Sequence, residues 1–151
     1  MKKYELTDET IDVSGTTLHR IKALKDFGNV KKGELGGYVE SERNLSQEGN
    51  CWVCGNAKVY GNAWVYGNAE VCGNAKVCGD ADYIIIKGLG SKYRNTTIFR
   101  TKENIAVKCG CFYGTLAEFV DKVKETHGNS KFTKEYLALI DLVKIHFELE
   151  E

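Results

Sequence analysis

The chain has 151 residues, with 21 basic and 21 acidic side chains, so it forms one compact unit or two small ones and carries no basic excess to advertise duplex nucleic acid. The N-terminus lacks an apolar signal region and no run approaches the roughly eighteen apolar residues of a membrane span, which gives the expectation of a soluble, cytosolic protein without a membrane partner. In that compartment the six cysteines are expected as reduced thiols rather than as a disulfide framework.

Residues 1–34 contain Tyr4-Glu5-Leu6, a turn signal at Ser14-Gly15 and a partly alternating stretch from Thr17 to Leu24, which predicts a β-hairpin. The open end of a strand stack exposes unpaired backbone groups, so the hairpin is expected to cap the segment that follows.

Residues 35–83 hold the strongest pattern. Glycine recurs every six residues from Gly49 to Gly79, and the next column runs from Asn50 to Asn74 and ends in Asp80. A small-residue column follows at Cys51, Ala57, Ala63, Ala69, Ala75 and Ala81. Two places further on stand Val53, Val59, Val65, Val71, Val77 and Tyr83. Side chains two apart on a strand share a face, so the Ala and Val columns point inward and Trp52, Lys58, Trp64, Glu70 and Lys76 point outward. Gly and Asn are assigned to the corners, where a positive φ is needed. A hexapeptide period of this kind predicts a short parallel β-helix, expected left-handed, in which three hexads close one coil and residues about eighteen apart stack at ~4.8 Å. Cys54 is then expected over Cys72 and Tyr60 over Cys78, with Val39 and Leu45 on the Ala57 register.

In residues 84–151 the period is gone. Strands are predicted around Tyr83–Lys87, Thr97–Arg100 and Ile105–Cys109, followed by two helices. Thr115 and Glu118 form a capping box before the apolar stripe Leu116, Phe119, Val120 and Val123, and Gly128 ends that helix; Tyr136, Leu137, Ile140, Val143 and Phe147 stripe the second. The fold class is therefore mainly β: a short parallel β-helix with an N-terminal β cap and a small C-terminal α+β domain of three strands and two helices.

The best ligand-site candidate is the loop Gly88, Gly90, Ser91, Lys92, Arg94, Thr96 and Thr97, extended by Arg100 and the Cys109–Phe112 turn. Glycines allow close backbone approach, successive N–H groups can cradle an anion, and the polar and cationic side chains add donors suited to a phosphate or nucleotide. An ordinary polar hairpin loop is the competing reading. Cys109-Gly110-Cys111 offers two thiolates without a partner pair or a histidine at zinc spacing, so no metal site is assigned, and no acid or histidine is tied to these thiols for catalysis. Trp52, Tyr60, Trp64 and Tyr66 are expected to protrude as a partner interface, with burial beneath a terminal segment as the alternative. Hexapeptide β-helices resemble the acyltransferases of that architecture, which use a histidine base and a coenzyme A groove. Here His19, His127 and His146 all lie outside the repeat. No catalytic residue and no cofactor are assigned.

Several phrases together resemble a group of bacteriophage and prophage proteins: Lys3-Tyr-Glu-Leu-Thr-Asp-Glu-Thr, Gly36-Gly37-Tyr38-Val39, the Tyr-Gly-Asn-Ala hexads, Thr96-Thr-Ile-Phe-Arg100, Val107-Lys-Cys-Gly-Cys-Phe112 and Gly114-Thr-Leu. The resemblance covers nearly the whole chain and implies a setting rather than a reaction. It leads to the expectation of a non-enzymatic protein that counters a host defence system, its partner being either a defence effector or a nucleotide-derived immune signal. An acyltransferase-like enzyme and a purely structural oligomerisation module remain the alternatives. Side-by-side association is expected, with a trimer favoured.

Overall fold

A computed structural model describes residues 2–149. The chain is mainly strands, with a helical region confined to its C-terminal part. The hairpin forms as expected: β1 (Tyr4–Val13) and β2 (Thr16–Ala23) pair antiparallel across Ser14 and Gly15, both at positive φ, the combination that matches the twist of a two-residue hairpin.

The repeat region then pairs with itself in parallel. β3 (Leu35–Val39), β5 (Lys58–Val59) and β7 (Lys76–Val77) form one ladder, β4 (Trp52–Val53) and β6 (Glu70–Val71) another, and a bridge joins Leu45 to Val65. Lys58 meets Lys76 and Trp52 meets Glu70, the eighteen-residue offset that the hexads imply. Both inner columns are buried, from Val53 to Val77 and from Ala57 to Ala75. Gly49, Gly55, Gly61, Gly67 and Gly73 turn the chain at φ between 62° and 71°, a region in which a Cβ is strained. The Asn column does not share that role, because among the described residues only Ser14, Tyr93 and Glu148 are non-glycines at positive φ.

Two register expectations need correction. Val39 pairs with Val59 and Leu45 bridges Val65, rather than lying on the Ala57 register. The reason is that eight residues, not six, separate Leu45 from Val53. An even insertion shifts the partner by two and leaves every side chain on its original face, so the core survives it. The expectation of six reduced thiols is also corrected: Cys54 and Cys72, stacked with Cα atoms 4.6 Å apart, form a disulfide, whereas Cys51, Cys78, Cys109 and Cys111 are free.

β2 pairs antiparallel with β3, giving a continuous sheet β1-β2-β3-β5-β7 that satisfies the edge of the first parallel ladder. Lys3 is fully buried there, its ammonium donating to the carbonyls of Glu48, Gly49 and Cys51, and the Tyr4 hydroxyl donates to Leu45 O at 2.5 Å.

Beyond a short turn at Asp80–Asp82, the C-terminal sheet contains four strands rather than the expected three, in the order β11-β10-β9-β8. These are β8 (Tyr83–Leu89), β9 (Arg94–Arg100), β10 (Ile105–Cys109) and β11 (Phe112–Thr115), all antiparallel. One face of the sheet, with Phe99 and Ala106, joins the core of the repeat region. The other, with Ile98, Ile105 and Val107, packs against α1 (Leu116–His127) and α2 (Lys131–His146). The predicted capping box forms in full: Glu118 N–H donates to Thr115 Oγ1 at 3.2 Å and Thr115 N–H to Glu118 Oε1 at 2.9 Å. The antiparallel sheet thus fixes one end of a cavity whose far wall is helical.

Candidate ligand-binding site

The cavity, about 260 Å³, opens where the β8–β9 loop, the β10–β11 turn and α1 converge. Ser91 and Lys92 come from the loop and Arg94 from the start of β9, Cys111 from the turn with Cys109 and Phe112 at the strand ends that flank it, and Tyr136 from α2. α1 contributes Phe119, Lys122, Val123, Thr126 and His127, spaced three and four apart and so on one helical face.

Two glycines make this closeness possible. A Cβ on Gly90 (φ +78°) would collide with the Tyr136 ring and hydroxyl, and one on Gly110 (φ +58°) would collide with the Arg94 guanidinium. Gly90 N–H donates to Glu135 Oε1 at 3.1 Å and the Tyr136 hydroxyl donates to Leu89 O at 3.1 Å, so the loop is tied to α2 from both sides. The exposed Arg94 side chain lies against Gly110 of the β10–β11 turn and lines the cavity.

The floor is aromatic. Phe112 lies 5.4 Å from Phe119, Phe119 meets Tyr136 edge-on at 5.3 Å, and His127 stacks on Tyr136 at 6.1 Å. Burial pushes the Tyr136 phenol up to about 12, helped by the neighbouring Cys109 and opposed by the Arg94 charge. It therefore stays protonated and serves as a donor. The Thr96 hydroxyl donates to Cys109 Sγ at 3.3 Å, so the Cys109 sulfur, like the Tyr136 hydroxyl, already has a partner. At the mouth, Lys92, Arg94 and Lys122 supply positive charge, and no carboxylate lines the cavity among the described residues.

Five of the sequence candidates, Ser91, Lys92, Arg94, Cys109 and Phe112, thus converge. Gly90 shapes the wall from beneath, and Gly88 lies exposed at the bend of β8. The others have structural work. Thr96 and Thr97 are buried, and Thr97 Oγ1 accepts from Glu70 N–H at 3.0 Å, joining the two sheets. Arg100 is directed elsewhere, 3.1 Å from Asp82 and over the Phe147 ring. Cys111, within the proposed Cys109–Phe112 turn, also lines the cavity, whereas sequence reasoning missed Lys122, Thr126, His127 and Tyr136. The spacing of Phe119, Lys122, Val123, Thr126 and His127 was the available signal for the α1 wall.

The proposed interface residues separate. Trp64 and Tyr66 are 50% and 46% exposed and stack at 4.5 Å, and Tyr60 is half-buried. Trp52 does not protrude: it is 3% exposed, packed edge-on against Tyr4 and Phe27 of the N-terminal segment. His19 and His146 bond the carbonyls of Thr7 and Ala81, and only His127 reaches the cavity. Among the described residues no His, Cys, Asp and Glu grouping suits a metal ion, and no helix is long and apolar enough to cross a membrane.

No family model matches the chain. A stretch of 61 residues is 39% identical to a protein of Escherichia coli (strain K12) described as the uncharacterized acetyltransferase YdcK. The match covers 35% of this chain and 19% of that protein's length, so the chain spans about a fifth of this relative.

Proposed function

We propose that the chain is a non-enzymatic phage or prophage binding protein that counters a host defence system by taking a nucleotide-derived signal into the cavity between the β8–β9 loop and α1. The observation that carries this reading is the pairing of three cations at the mouth with an aromatic floor, a combination that suits an anionic group attached to a flat ring. The parallel ladders of the repeat fit a short, left-handed parallel β-helix serving as a rigid support. Its exposed Trp64–Tyr66 pair suits either self-association into a trimer or a defence effector docking on that face with Tyr60.

A second reading, an acyltransferase-like enzyme, draws on the 61-residue similarity to the uncharacterized acetyltransferase. Thermal unfolding in the presence of ligands separates the two. Nucleotides are expected to raise the melting temperature and acetyl-coenzyme A to leave it unchanged; the reverse pattern, accompanied by thiol release from acetyl-coenzyme A, would replace the binding reading with the enzymatic one.

A further inference from the structure

Resting on the nucleotide reading above, we propose a narrower ligand class: a single mononucleotide, base inward on the aromatic floor and phosphate outward among Lys92, Arg94 and Lys122. Three observations select it. The cavity volume of about 260 Å³ lies just below the roughly 300 Å³ at which small-molecule pockets ordinarily begin. It accommodates one ring system, and a second base would lie outside it.

The aromatic side chains also form one connected group, Phe112 to Phe119 to Tyr136 to His127, with successive centroids 5.3 to 6.1 Å apart. Phe112 and His127 are only half-buried, which leaves ring faces for one stacked base. With the Tyr136 hydroxyl and the Cys109 sulfur already engaged, the Phe112, Phe119 and Tyr136 part of that floor offers contact area, and the His127 ring nitrogens remain to meet a base edge.

Charge is concentrated on the other side. Lys92 and Arg94 are in no ion pair among the described residues, and Lys122 has only a peripheral one, 3.9 Å from Glu125 with both side chains exposed. Three cations without an opposing carboxylate match one phosphate dianion. Arg94, laid over Gly110, presents a planar fork that matches phosphate oxygens.

Isothermal titration of the full chain tests this with adenosine 5′-monophosphate, its 3′,5′-cyclic form, adenosine, inorganic phosphate, cyclic di-adenosine monophosphate and ADP-ribose. Saturable one-to-one binding of either mononucleotide is expected. Adenosine and phosphate should each bind at least about tenfold more weakly, and Arg94→Ala or Lys122→Ala should each cost about tenfold. Phe112→Ala should weaken adenosine and the mononucleotides alike. Tighter binding of the dinucleotide or ADP-ribose would overturn the mononucleotide assignment while leaving the nucleotide reading in place; so would phosphate binding as tightly as the mononucleotides. Failure of every nucleotide to bind overturns both, and circular dichroism of each variant confirms that the comparison is between folded proteins.

Discussion

Gly110→Ala separates the conformational cost of a glycine from its role in the site. Gly110 sits at φ +58°, and the Cβ of an alanine would meet the Nη1, Cζ and Cδ atoms of Arg94. The left-handed backbone costs an L-residue about 1–2 kcal/mol, which for a chain of this size lowers the melting temperature by roughly 2–8 °C. The arginine is a flexible side chain and moves aside at small additional cost, but its guanidinium then leaves the cavity mouth. A lost hydrogen-bonded charge on phosphate lowers affinity by about tenfold or more. Gly15→Ala supplies the control. It has the same class of backbone (φ +87°) with nothing within 4 Å of the added carbon, and it lies in the β1–β2 turn. Both variants are expected to lose similar stability in urea titrations, whereas only Gly110→Ala should lose affinity for adenosine 5′-monophosphate by calorimetry. Equal affinities, or a loss confined to Gly15→Ala, would refute the role given to Arg94.

Other outcomes follow from the core, the electrostatics and the aromatic residues. Val71→Ala removes a fully buried side chain from the inner column and should cost about 2–3 kcal/mol in urea unfolding with an unchanged m-value. Burial opposes ionisation of Asp82, but hydrogen bonds from Cys78 N–H and Arg100 outweigh it and hold the carboxyl below its ordinary 3.8. The unfolded chain then binds more protons than the native one as pH falls below 3.8. Asp82 therefore stabilises fully above that value and loses its contribution as pH drops through the folded pKa, a component that Asp82→Asn should remove from acid-unfolding curves. Of the two tryptophans, exposed Trp64 should account for the acrylamide-quenchable fluorescence. Trp64→Phe should leave only the protected emission of Trp52, and strong quenching in that variant would contradict its burial.

The hexad columns made the repeat legible because Ala and Val two apart must share a face and the eighteen-residue offset fixes their partners. The same period says nothing of what covers the outer column, so Trp52 and Trp64 read alike, although Tyr4 and Phe27 reach only the first. The insertion between Leu45 and Val53 left no break in the inward pattern, being even, and so its register shift was hidden. Strand β11 was missed because four residues around Gly114 carry too little periodicity. At the site, the loop side chains announced themselves by type. The α1 wall did not, since Phe119 and Val123 are also the residues an ordinary core-facing helix would use. Tyr136 could be placed only once α2 was seen to fold back against Leu89 and Gly90.

The most direct test of the binding site is an amide and methyl NMR spectrum of the protein titrated with adenosine 5′-monophosphate. Shifts are expected at Ser91–Arg94, Cys109–Phe112 and the Lys122–His127 face of α1, and to require about tenfold more ligand in Arg94→Ala. A spectrum that stays unchanged to millimolar ligand, or shifts clustered on the Trp64–Tyr66 face instead, would contradict the assignment of the cavity.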